Sequence, residues 1–310
     1  MRAKVITIIS AAIIATYGFL APNALFGGAI QANAQGTSAQ GQYADVNGLK
    51  MYYEIHGTGQ PLVLLHGGLG GIIEFGQVLP ALAKTRQIIA VELQGHGHTA
   101  DIDRPLSYEQ MADDVAALIK SLGLKNADVL GYSMGGGVAL QTAIRHPDVV
   151  RKLVLVSTPY KRDGWYAESN AQDSSMNADT AKAMMQTPVY QFYASVASRP
   201  QDWPTLVTKV GQLLAKDYDW SKDVAAMKMP TLILVGDSDR VRPEHAVEMA
   251  RLLGGAKMDG GMAPFSQNAT PPSVQLAMLP GTTHFTILSR ADLLLPIVTP
   301  FLDAPMPAAK

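Results

Sequence analysis

Short, mostly apolar runs recur along the middle and end of the chain, and several of the gaps between them carry apolar residues at helical spacing. The runs are residues 61–65 (PLVLL), 87–93 (QIIAVEL), 127–131 (ADVLG), 153–157 (LVLVS), 231–235 (TLILV) and 276–279 (LAML). A run that is apolar on both faces suits a strand in the middle of a parallel sheet, covered above and below. Each run ends in a turn-forming, polar or glycine-rich tail, such as His66-Gly67-Gly68 or Gln94-Gly95-His96-Gly97. Between them, Ser107 and Gln110 have the spacing of a capping box ahead of a helical pattern over 111–122, and Gly123 stops it. Residues 134–145 predict a helix that begins directly after Ser133. Residues 243–253 predict another, opened by Pro243 in its first turn. Strand and helix in alternation imply a parallel sheet with right-handed crossovers. Ahead of all this, residues 43–46 and 49–55 flank Asn47-Gly48, the signal of a tight antiparallel hairpin.

Two stretches break the rhythm. Residues 159–228 hold no strand-like run but carry Trp165, Trp203, Trp220, Tyr190, Phe192, Tyr193, Met176, Met184 and Met185. This predicts a helical insertion over about 160–225, a cap above the strands' C-terminal ends, where open α/β sheets bind ligands. Its aromatic and methionine content suits an apolar acyl or alkyl pocket; the competing reading is that these side chains only pack the cap onto the body. Residues 254–273 are rich in Gly, Pro and Asn and predict a long loop.

The candidate chemistry centres on Gly131-Tyr132-Ser133-Met134-Gly135. A serine between a buried strand and a helix start, with glycine on both sides, suits a sharp turn that exposes its hydroxyl. The amides and dipole at the start of that helix favour negative charge developing there. Serine is a weak nucleophile near neutral pH and needs a base. Of the seven histidines, His284 follows the last strand-like run and is the expected base. His56, His146 and His245 suit surface or capping roles, and His66 and His96 suit packing within glycine-flanked turns. His98 could line the cleft but is less well placed. The acid that orients the base is expected in Gly236-Asp237-Ser238-Asp239. Asp239, deeper in that loop, is favoured, and Asp237 is the alternative. Two backbone amides should hold an oxyanion: that of Met134, and one from His66-Gly67-Gly68-Leu69-Gly70, taken as Gly68.

Composition narrows the partners. The chain has 310 residues and a net charge of −1. Arg2 and Lys4, an uncharged apolar stretch over 5–20 and the A-x-A site at Ala32-Asn33-Ala34 predict a secretory signal peptide over 1–34, and hence export to the periplasm or the medium. The alternative is an uncleaved N-terminal anchor. Removing that segment takes two basic residues and no acidic one, leaving −3. Residues 35–42 are small and polar and suit a flexible leader to a domain over 43–310. A weakly acidic protein has no electrostatic case for nucleic acid or, once the signal is removed, for anionic membrane. The absence of cysteine excludes a thiol nucleophile, disulfides, thiolate metal sites and a lipidated cysteine.

Taken together, His66-Gly67-Gly68, the turn 94–98, Gly131 to Gly135, Gly236 to Asp239 with Pro243, and Pro280-Gly281-Thr282-Thr283-His284 resemble the α/β-hydrolase superfamily, in its lidded serine esterase, lactonase and haloperoxidase-like branch. The resemblance runs from about Tyr43 to the C-terminus. It implies a mostly parallel eight-stranded α/β sheet whose second strand is antiparallel, a helical cap over Ser133, and neither metal nor cofactor. It also implies the order Ser133, Asp239, His284 for nucleophile, acid and base. With serine rather than aspartate at 133, dehalogenase and epoxide-hydrolase chemistry is disfavoured. Many relatives carry Arg where this chain has Gln94, so any ion pair made there is absent. The expected activity is hydrolysis of a small-molecule carboxylic ester or lactone through an acyl-enzyme. The alternatives are a carbon–carbon bond hydrolase or perhydrolase using the same triad, or a slow-turnover binding protein on this fold.

Overall fold

The computed structural model describes residues 41–258 and 273–307. The expected signal peptide, nearly all of the expected leader and most of the 254–273 loop lie outside the described residues. The strands form one eight-stranded sheet in the order β1-β2-β4-β3-β5-β6-β7-β8. β1 (Gln42–Val46) and β2 (Leu49–His56) make the predicted hairpin, with β1 taking in the last residue of the expected leader. Asn47 and Gly48 both have positive φ, 49° and 80°, the pair that a two-residue turn matching strand twist requires. β2 runs antiparallel to both β1 and β4 (Arg86–Val91). From β4 through β3 (Gln60–Leu65), β5 (Ala127–Tyr132), β6 (Val150–Val156), β7 (Thr231–Ser238) and β8 (Val274–Thr283), neighbours are parallel.

The continuous apolar runs divide by alternation. Val63, Leu65, Ile89, Val91, Val129, Leu153 and Leu155 face one way, and Leu62, Leu64, Ile88, Ala90, Leu130 and Val154 face the other. The first face is covered by α2 (Tyr108–Ser121), α3 (Met134–Arg145) and α9 (Pro243–Leu252), the second by α1 (Val78–Leu82) and α10 (Ala291–Asp303). Ser107 caps α2 by accepting from the Gln110 amide. α10 carries Pro296 and Pro300 inside it, which hides it from propensity, yet it buries Leu294, Val298, Phe301 and Leu302.

β6 begins three residues before its apolar run and stops at Val156, because Ser157 turns to φ 54°. β8 runs on through Pro280, which an edge strand tolerates, and its pairing with β7 slips there. Gly236 pairs with Leu279, and Ser238 pairs next with Thr283, so β8 carries extra residues opposite Asp237.

Between β6 and β7 lie α4 (Ala167–Ser174), α5 (Ala178–Met184), α6 (Pro188–Val196), α7 (Trp203–Ala215) and α8 (Ser221–Ala226). This helical segment has its own centre at Trp203, whose indole donates to the Ala181 carbonyl at 2.9 Å between the rings of Tyr190 and Tyr193. Among the described residues no helix is long and apolar enough to cross a membrane.

Candidate active site

Ser133 occupies the turn between β5 and α3 at φ 54°, ψ −119°, a backbone that costs energy outside glycine. Its neighbours explain the pentapeptide. A Cβ on Gly131 would lie 2.3 Å from the Gly135 carbonyl oxygen, and one on Gly135 would lie 2.3 Å from that of His66. The strand and helix therefore approach too closely for any larger residue. The Ser133 carbonyl accepts from the amides of Gly136 and Gly137 and from the Thr158 hydroxyl at 2.9 Å.

His284 Nε2 lies 2.9 Å from Ser133 Oγ, and its Nδ1 lies 2.9 Å from Asp239 Oδ1. The imidazole is 3% exposed. The Tyr132 hydroxyl donates to the His284 carbonyl at 2.7 Å, and Trp165 meets the ring edge-on with centroids 5.5 Å apart.

Asp239 is enclosed by donors. Oδ1 accepts from His284, from the Arg240 amide at 2.7 Å and from the Val241 amide at 3.2 Å. Oδ2 accepts from the Gly236 amide at 3.0 Å and from the Ser157 hydroxyl at 2.5 Å. Burial alone would push this carboxyl up. The His284 bond and charge, with the Ser157 and Gly236 donors, outweigh it and hold the carboxyl below its usual range. Asp237 points elsewhere: its carboxylate accepts from the amides of Gly281 at 2.8 Å and Thr282 at 3.2 Å, filling the slip between β7 and β8. The structure thus brings Asp239, not Asp237, to His284.

Gly68 and Met134 also come together, since a Cβ on Gly68 would lie 3.6 Å from Met134 Sδ. In the loop after β3 the Gly67 amide donates to Glu74, the Leu69 amide to His96 Nε2, and the Gly70 amide to the Gly67 carbonyl. The Gly68 amide, between them, has no partner among the described residues. His66 and His96 brace this loop in mirror fashion. His66 Nδ1 donates to the Gly67 carbonyl and its Nε2 accepts from the Leu93 amide; His96 Nδ1 donates to the Gln94 carbonyl and its Nε2 accepts from the Leu69 amide. Burial holds both neutral: it pushes His66 down to about 3, helped by the nearness of a second imidazole that could not share the charge, and His96 down to about 4. Glu74 is folded into the same loop, and its burial pushes it up to about 7.

The remaining histidines pair away from Ser133. His56 meets Glu54, His98 meets Glu92 and stacks on Tyr52, His146 meets Asp113, and His245 accepts from the Tyr160 amide. Gln94 donates to Asp101 at 2.8 Å and accepts from Arg104 at 2.6 Å, so Arg104 supplies the local cation and pairs with Asp114. Among the described residues no group of three or more His, Asp or Glu side chains is arranged to hold a metal ion.

The helical segment touches the site at few points. Trp165 lies against His284, and a Cβ on Gly68 would lie 3.3 Å from Val210 of α7. A Cβ on Gly71 would lie 2.8 Å from the Phe192 ring. Trp203, Tyr193, Met176 and Met184 pack the segment's own interior, Trp220 stacks on Tyr218, and Met185 is exposed. Most of the aromatics and methionines therefore pack rather than line a pocket.

Residues 60–199 match the family described as the alpha/beta hydrolase fold. An AB hydrolase superfamily protein, YisY, of Bacillus subtilis (strain 168) is 33% identical over 224 residues, covering 65% of this chain and 82% of that protein. The chain belongs to the α/β-hydrolase family. Solved relatives of this α/β hydrolase include the enol-lactonase from Burkholderia xenovorans LB400, with TM-score 0.62, 22% identity and coverage of 84% of this chain and 99% of that one. The carboxylesterase CesB (YbfK) from Bacillus subtilis superposes with TM-score 0.65 at 16% identity, covering 86% of this chain and 92% of that one. At these identities the likeness is one of fold.

Sequence reasoning missed Ser157, Thr158 and Glu74. Ser157 ends an apolar run and Thr158 follows it, so both read as the start of a turn, and Glu74 sits in no periodic pattern. A serine directly after a buried strand was the one available signal, and it does not say which way the hydroxyl points.

Proposed function

We propose that this α/β hydrolase is a serine hydrolase that cleaves a small-molecule carboxylic ester or lactone through an acyl-enzyme. One observation carries the reading: an unbroken chain of hydrogen bonds from Ser133 Oγ through both nitrogens of His284 to Asp239. Ser133 Oγ attacks the carbonyl carbon as His284 Nε2 takes its proton, and Asp239 holds the imidazolium that forms. The amides of Gly68 and Met134 receive the oxyanion. The carbon–oxygen bond then breaks, and the alcohol leaves with the proton from Nε2. Water, deprotonated by the same nitrogen, attacks the acyl-enzyme and regenerates Ser133.

A fluorophosphonate should label Ser133 alone. Ser133→Ala should abolish labelling and lower kcat for p-nitrophenyl acetate by up to about a millionfold. An adduct on another residue, or undiminished turnover in Ser133→Ala, would overturn the reading. The sequence over 1–34 further supports export of the enzyme. N-terminal sequencing of the extracytoplasmic protein should start at or near Gln35, and a start at Met1 would refute cleavage.

A further inference from the structure

Ser157 stands at the end of β6 in a conformation that few residues other than glycine adopt, φ 54°, and it is fully buried. Its amide still donates to the Leu234 carbonyl of β7 at 2.7 Å, so the sheet holds it in that conformation. Backbone strain of this kind persists only where the surroundings over-determine it, and it gathers at functional sites. Here the twist sends the hydroxyl to Asp239 Oδ2, the oxygen that His284 does not use. Of the donors to Asp239, those of Gly236, Arg240 and Val241 are backbone amides. Ser157 is thus the one side chain besides His284 that bonds this carboxylate among the described residues. Its neighbour Thr158 bonds the Ser133 carbonyl, so consecutive hydroxyls of one strand end reach the acid loop and the serine turn.

We propose that Ser157 is a positioning residue: by holding Oδ2 it sets the orientation of Asp239 and how strongly that carboxylate draws on His284. The inference rests on the serine-hydrolase reading above. A donor on Oδ2 takes up part of the carboxylate's charge. Without it, more charge faces the imidazole, the imidazolium is held more tightly, and the base is available only at higher pH. The other charged and titratable groups around the pair are Arg240, whose guanidinium lies 5.9 Å from the Trp165 and Phe285 rings that flank His284, and the buried Tyr132, which senses Glu74, Asp239 and Arg240. Replacing Ser157 by alanine leaves all of these in place.

The test is the pH dependence of two quantities in the full chain: the rate of fluorophosphonate labelling and kcat/KM for p-nitrophenyl acetate. Ser157→Ala should lower both about tenfold at pH 7, through kcat rather than KM, and move the acid limb of both profiles to higher pH. Ser157→Gly removes the same hydroxyl while relieving the backbone strain, so it should fold at least as well and show the same displaced limb. Thr158→Val, which alters the other hydroxyl, should lower the rate without moving the limb. An acid limb that is unmoved or lower in both Ser157 variants, or rates equal to the unaltered enzyme, would overturn the proposal while leaving the hydrolase reading intact. Failure of the unaltered enzyme to label at Ser133 would remove both.

Discussion

The sheet edge and the helical segment above it are held by different physics. At the sheet edge, Asp239 is fastened mostly by backbone amides, Ser133 by the close approach of two elements, and the Gly68 loop by two buried imidazoles. The helical segment joins the body by a short backbone bridge between Trp165 and Val241, and beyond it mainly by charged side chains. Lys209 of α7 bonds the Asp101 carboxylate at 2.6 Å and the carbonyls of Ile102 and Arg104, while Arg240 bonds Asp173 and the Ser169 carbonyl of α4. Backbone bonds persist when side chains change, whereas a charged strap is lost with one substitution. The contrast leaves the residues around Ser133 fixed by the main chain and makes the placement of the helical segment more sensitive to single substitutions.

The contrast is most severely tested at the two aspartates. Asp239→Asn should lower kcat about 10³–10⁴-fold, since the amide removes the charge that His284 pairs with. Asp237→Ala, two positions away, should cost on the order of 1 kcal/mol of stability from the two amides it frees, with kcat/KM within about threefold of the unaltered enzyme. Steady-state kinetics and urea unfolding of both variants check this. A comparable loss of activity in the two would erase the distinction.

Lys209→Met probes the upper region. It should raise KM about threefold with little change in kcat, because the strap positions the segment rather than the reacting groups. A fall in kcat with KM unchanged would mean that the segment carries part of the chemistry after all.

A smaller effect follows from the buried histidines. His66, His96 and His245 are pushed by burial to about 3, 4 and 4, below the unfolded value near 6.5. Between those limits the unfolded chain binds more protons than the folded one, so these groups favour folding above pH 6.5 and progressively lose that contribution as pH falls toward 4. Glu74, raised to about 7, acts in the opposite sense: its contribution weakens stability as pH rises from about 4.5 to 7. Urea midpoints should therefore fall below pH 6.5, and more steeply in Glu74→Gln, which lacks the opposing term.

Much of the site is legible in the chain because its signals are local. Ser133 is marked by strand, turn and helix in sequence, and His284 by its place after the last apolar run. Depth in the loop favours Asp239 over Asp237, but the physical reason for the choice is not local. It depends on the slip between β7 and β8, which no pattern within 236–239 contains. Ser157 is harder still, since its role comes from meeting a residue 82 positions away. In the fold, the strand runs are legible because the sheet is covered on both faces. α10 is not, because packing overrides the propensity of its two prolines. The aromatic content of 160–225 signals a packed helical body but cannot separate Trp165, which meets His284, from Trp203, which never does.

The brace made by His66 and His96 bears on how this enzyme can diverge. Its four hydrogen bonds run to the main chain of Gly67, Leu93, Gln94 and Leu69 and to none of their side chains. The brace itself therefore does not depend on which side chains stand at 69, 93 and 94, although the burial of all three still limits what can replace them. The place of the Gly68 amide thus rests on main-chain contacts of its neighbours rather than on the side chains they carry.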